Sequence, residues 1–153
     1  MNLKLLLAVA VAFASLPGCA NYTASPFYEI GDPNLKYIAT ARVGRGNSVA
    51  VLYNSKICED IGDACGFFKN HANAHDMLNH QIFTNPKYYT QTIENEADCW
   101  AAKYGRPNET LAAVKLLEDI ERRADLPITG DPDERAKLIK ACAQENGRWS
   151  GEP

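Results

Sequence analysis

The sequence has no apolar run long enough to span a bilayer, no CxxC pair and only three histidines, and each shortage excludes a class of function. Its longest apolar stretch, Leu5 to Phe13, falls well short of the ~20 residues that a transmembrane helix needs. Without CxxC spacing, a cysteine-rich zinc site is a poor expectation. No basic patch or aromatic ladder marks a nucleic-acid surface. The 16 basic and 19 acidic residues are interspersed and leave a net charge of −3, the signature of an ordinary solvated surface.

What the chain does have is a histidine pair, His71-Ala72-Asn73-Ala74-His75, and a carboxylate pair, Glu94-Asn95-Glu96-Ala97-Asp98. Residues at i and i+4 on a helix lie one turn apart on one face, so both imidazoles can point at one metal ion. Glu94 and Asp98 repeat the spacing. One carboxylate can serve as a third ligand, and the other can accept a hydrogen bond from a ligating imidazole. The competing expectation is that Glu94 and Asp98 are exposed or form structural ion pairs. His80 lies about half a turn round from His71 and is expected at the surface or the helix end, not as a ligand.

These residues resemble the gluzincin metallopeptidases, in particular the domains related to the CAAX prenyl protease and the HtpX-type membrane proteases, whose pattern is HExxH followed by ExxxD. The resemblance implies that His71, His75 and Glu94 ligate zinc and that Asp98 orients a histidine. It also marks a departure, because the family's general base follows the first histidine directly and here that position is Ala72. A methyl group cannot take a proton from zinc-bound water, a step worth roughly 10²–10⁴-fold in rate. Asp76 follows the second histidine and is expected to be a solvated helix residue.

The N-terminal residues 1–18 read as an export signal, with Lys4, the apolar run and small residues after it. Leu16-Pro17-Gly18-Cys19-Ala20 resembles a bacterial lipobox, which implies cleavage before Cys19 and a lipid on that cysteine. The alternative is an ordinary signal peptide with an incidental cysteine. The expected organisation is a signal over 1–18, a lipidated end and tether over 19–36, a metallopeptidase-like domain over 37–147 and a tail over 148–153. About 134 residues remain after cleavage, enough for one domain. Four cysteines remain too, Cys58, Cys65, Cys99 and Cys142, and an exported protein with an even number suggests disulfides. Three pairings are possible; the short loop between Cys58 and Cys65 favours that pair, leaving Cys99 with Cys142.

Within the domain, the segments from 37 to 43 and from 48 to 53 flank Gly44-Arg45-Gly46-Asn47 and predict a β-hairpin. A first helix is expected from Ala64 to about Ile82, with Phe68, His71, His75, Leu78 and Ile82 on its inward stripe. A second is expected from about Lys87 to Tyr104, stopped by Gly105. A third is expected to start at Pro107 with Asn108 as its cap and to carry Leu111, Val114, Leu117 and Ile120 up to about Arg123. Asp131-Pro132-Asp133-Glu134 is a capping box that opens a last helix to about Glu145, with Leu138, Ile139 and Cys142 facing inward.

The expected fold is therefore α+β and mostly helical, with a hairpin packed on a zinc-type helix and three further helices behind it. The expected function is a lipid-anchored, periplasm-facing relative of zinc peptidases that holds zinc and has lost efficient hydrolysis. It would act by binding peptide or protein, and the resemblance suggests a hairpin edge strand as the place for an extended peptide. Two alternatives stand beside this: slow peptidase activity through zinc polarisation alone, and a metal-free structural or interaction lipoprotein.

Overall fold

The computed structural model describes residues 28–43, 49–80 and 90–152, and the expected export signal, Cys19, the expected turn over 44–47, Ile82 and the expected helix start at Lys87 lie outside them. Three strands, β1 (Tyr28–Gly31), β2 (Ala39–Val43) and β3 (Val49–Tyr53), form a sheet of order β1-β3-β2. The β2 and β3 strands pair antiparallel, Ala41 opposite Val51, as the hairpin composition predicts. The β1 strand pairs parallel with β3, Ile30 opposite Leu52, so residues expected to belong to the tether enter the sheet. The tether expectation fails there because parallel pairing joins segments distant in sequence.

Alternation places Ala41 and Val51 on the same sheet face, and both pack against Ala72 of helix α2 (Ala64–Met77). A short helix not foreseen, α1 (Ser55–Ile61), precedes it. Asn54 builds this corner: its Oδ1 accepts from the amides of Lys56 and Ile57 at 3.0 Å each, and its Nδ2 donates to Leu35 O at 2.7 Å. The disulfide Cys58–Cys65 then ties α1 to α2.

The α2 helix stops at Met77, earlier than the apolar spacing suggests. Asn79 takes the left-handed conformation, φ 55°, and the chain folds back so that His80 N donates to His75 O at 2.7 Å. Leu78, expected inside, is turned out to 38% exposure. Helix α3 (Gln91–Tyr104) starts from Thr90, whose Oγ1 accepts from Ile93 N at 3.4 Å. It ends at Gly105, where an added Cβ would lie 2.6 Å from Ala101 O.

Helix α4 (Pro107–Glu118) is preceded by Arg106, so Asn108 is inside the helix rather than its cap. The Asn108 amide instead reaches Asp63 Oδ2 at 3.0 Å. The expected long third helix breaks at Asp119, which caps the single turn α5 (Ile120–Arg123), and Ile120 points to solvent at 71% exposure. Helix α6 (Pro132–Glu145) opens as the capping box predicts, with Asp131 Oδ1 accepting from Asp133 N at 2.9 Å and Glu134 N at 3.1 Å.

The α6 helix packs on α3 and α4, and the Cys99–Cys142 disulfide joins it to α3. The core lies between these helices and α2, with Phe67, Val114, Leu116, Leu117 and Ile139 all buried. Burying each such side chain contributes roughly 1.5–3 kcal/mol. The residues after 147, expected to be a tail, dock on the domain: Arg148 Nη2 donates to Gly105 O at 2.6 Å and Trp149 packs against the core. No helix among the described residues is long and apolar enough to cross a membrane.

Candidate metal centre

The packing of α2 on α3 brings the two sequence pairs together. His71 and His75 lie one turn apart on α2 with their Nε2 atoms 3.2 Å apart. Glu94, in the first turn of α3, places Oε2 3.3 Å from His71 Nε2 and Oε1 3.2 Å from His75 Nε2. One ligand atom from each of the three residues lies within 4.8 Å of the other two. A tetrahedral ion bound at roughly 2.0–2.1 Å spaces its ligand atoms about 3.3 Å apart, so the histidine nitrogens already stand at a tetrahedral edge.

The protonation pattern prepares the same point. Asp98, one turn after Glu94, is fully buried, and Arg135 of α6 grips it through Nε to Oδ2 at 2.8 Å and Nη2 to Oδ1 at 2.7 Å. Burial opposes the Asp98 charge, but the neighbouring His71 and the Arg135 hydrogen bonds hold its carboxyl below the ordinary carboxylate range. An ionised Asp98 Oδ1, 2.8 Å from His71 Nδ1, fixes the proton on that nitrogen. The neutral ring then turns the Nε2 lone pair toward His75 and Glu94.

Burial also disfavours the Glu94 charge, yet the close approach of the His71 and His75 rings outweighs it and holds the carboxyl well below the usual range. Burial lowers the His75 pKa. At His71 burial pulls the same way, but the charge and hydrogen bond of Asp98 prevail and raise it. Glu94 Oε1 remains without a hydrogen bond although buried, since its approach to His75 has the distance but not the geometry. Two nitrogen lone pairs and a carboxylate thus converge where a cation, a proton or a metal, relieves their repulsion. The donor set of two imidazoles and one carboxylate could hold a metal ion.

The group opens into a cleft of about 450 Å³ lined by Ile38, Thr40, Phe68, Ile128 and Thr129 among others. The β2 strand borders it and, in the order β1-β3-β2, has no strand neighbour on that side among the described residues. Ala72 also lines the cleft, 2% exposed against Ala41 and Val51. Glu94 is the single carboxylate among the described residues of its wall, and Asp76 is not one of them.

His80 differs most from expectation. Expected at the surface or the helix end and not as a ligand, it follows the end of α2 and stays outside the His71, His75 and Glu94 group, yet it is 9% exposed, with Nδ1 3.0 Å from His75 Nδ1 and Nε2 3.0 Å from Glu96 Oε2. The left-handed turn at Asn79 returns it to the site, which helical periodicity cannot foresee. Arg135 was also missed, although it shares a helical face with Ile139 and Cys142, and a charge on an apolar stripe signals a buried partner. No family model, curated protein or solved structure matches the chain.

Proposed function

We propose that the protein is a metallopeptidase-like component of a bacterial cell envelope, held at a periplasm-facing membrane by lipid on Cys19. It binds zinc through His71, His75 and Glu94 and acts by holding peptide or protein rather than by cutting it. The observation that carries the reading is the meeting of the three side chains, with the His71 and His75 Nε2 atoms 3.2 Å apart and an unpartnered Glu94 Oε1 beside them. The two disulfides agree with an oxidising compartment.

Zinc at this point would polarise a bound carbonyl or water. The residues around it divide the remaining work. Asp98 keeps the proton of His71 on Nδ1, and Arg135 keeps Asp98 charged. The side of β2 that has no strand neighbour among the described residues offers backbone donors and acceptors to an extended segment. With Ala72 in place of a glutamate, no second carboxylate among the described residues of the cleft wall moves a proton to a leaving amine.

Ala72→Glu provides the test. Hydrolysis of a fluorogenic peptide library should be negligible for the unchanged protein and should rise by roughly 10²–10⁴-fold in the variant. Crowding against Ala41 and Val51 should cost about 1–3 kcal/mol of stability. Zinc-dependent cleavage by the unchanged protein, abolished by His71→Ala, would overturn the loss of hydrolysis. A folded, zinc-loaded Ala72→Glu protein with no gain would break the link to peptidase chemistry.

A further inference from the structure

We infer that His80, with Glu96 behind it, is a positioning residue for the metal centre that sets the proton of His75. The inference rests on the proposal that His71, His75 and Glu94 hold zinc. His75 binds through Nε2 in that arrangement, since Nε2 faces Glu94 Oε1 at 3.2 Å while Nδ1 points the other way. A neutral ring that gives its Nε2 lone pair to a metal carries its proton on Nδ1. Among the described residues, that Nδ1 faces the Nδ1 of His80 at 3.0 Å. His80 must therefore accept there, which leaves its own proton on Nε2, 3.0 Å from Glu96 Oε2 and donated to it.

The result is a directed chain from Glu96 through His80 and His75 to the metal point. It mirrors the chain from Arg135 through Asp98 to His71 on the other imidazole. Each histidine ligand thus has its own fixed partner, one a carboxylate and one a neutral imidazole. The difference has a chemical consequence. A carboxylate partner makes its imidazole a more basic ligand, whereas a neutral acceptor orients the ring with little added charge. The buried position of His80 makes it a rigid support, while the Glu96 side chain is 56% exposed and contributes less.

The chain depends on a local device. Asn79, at φ 55°, reverses the backbone so that His80 N bonds His75 O at 2.7 Å while the two rings meet. Backbone and side chain of His80 therefore hold the same ligand residue.

The test uses the purified, zinc-loaded protein with ¹⁵N-labelled histidine. A nitrogen–nitrogen coupling across the hydrogen bond should link Nδ1 of His75 to Nδ1 of His80, with the His75 proton on Nδ1. Zinc affinity, measured by competition with a chromophoric chelator, should fall about 10- to 100-fold in His80→Leu, which keeps bulk without an acceptor. His80→Asn, whose amide oxygen can stand near the lost Nδ1, should recover most of that loss. Glu96→Ala should weaken zinc by less than His80→Leu.

Absence of the coupling in the zinc-loaded unchanged protein overturns the role of His80 even if a variant fails to fold. So does equal zinc affinity for His80→Leu and the unchanged protein. An unchanged protein that takes up no zinc overturns both this role and the metal centre itself.

Discussion

Asp98 serves Arg135 and His71 with the same oxygen: Oδ1 receives Arg135 Nη2 at 2.7 Å and lies 2.8 Å from His71 Nδ1. Both the aspartate and the arginine are buried, at 0% and 3% exposure. This pair therefore joins the stability of the helical core to the orientation of a candidate metal ligand.

Arg135→Met should leave the Asp98 charge buried without its guanidinium and destabilise the fold by roughly 3–5 kcal/mol. Denaturant unfolding of the metal-free protein measures it. A change below about 1 kcal/mol, within the range of an exposed ion pair, would show that the pair is not a structural link.

Acid should weaken the metal-free protein in a defined window. Glu94 and Asp98 are both held below their ordinary values of 4.5 and 3.8. The unfolded chain therefore takes up protons first, so their stabilisation is present above those values and is lost as pH falls through the folded ones. Urea midpoints in chelator should drop from pH 4.5 downward, and Glu94→Gln should flatten the first part of that drop. An identical slope in the variant would contradict the assignment.

The two disulfides should differ in weight. Cys99–Cys142 closes a separation of 43 residues and Cys58–Cys65 one of 7, so chain entropy assigns them about 4 and about 2 kcal/mol. Thermal unfolding of the two double serine variants, each with the other bond intact, tests the order. Because Cys99–Cys142 fixes α3, its removal should also weaken zinc binding. Equal losses from the two variants would argue against the entropic ranking.

The parts of this molecule written in short spacings were legible in the sequence. His71 with His75, and Glu94 with Asp98, could be placed because helical geometry converts i, i+4 into a shared face. The α6 start was legible because Asp131 and Pro132 determine their own neighbourhood, and the pairing of β2 with β3 because both strands are rich in β-branched and aromatic residues. What escaped depended on contacts distant in sequence or on a single backbone angle. The β1 strand is four residues, all exposed, with no alternation to read, and it exists through pairing with β3. His80 enters the site through the φ of Asn79, and Arg135 becomes a site residue through the packing of α6 on α3. The α1 helix, seven residues long, hangs on the Asn54 cap and a disulfide and not on a periodic stripe.

Zinc content tests the central claim most directly. The protein purified from an oxidising compartment, dialysed against trace metal, should carry one zinc per chain by mass spectrometry and elemental analysis. His71→Ala, His75→Ala and Glu94→Gln should each lower the affinity by at least the 10- to 100-fold expected for losing even a supporting residue. A metal-free unchanged protein, or one whose zinc survives all three substitutions, would contradict the assignment of His71, His75 and Glu94 as a metal centre.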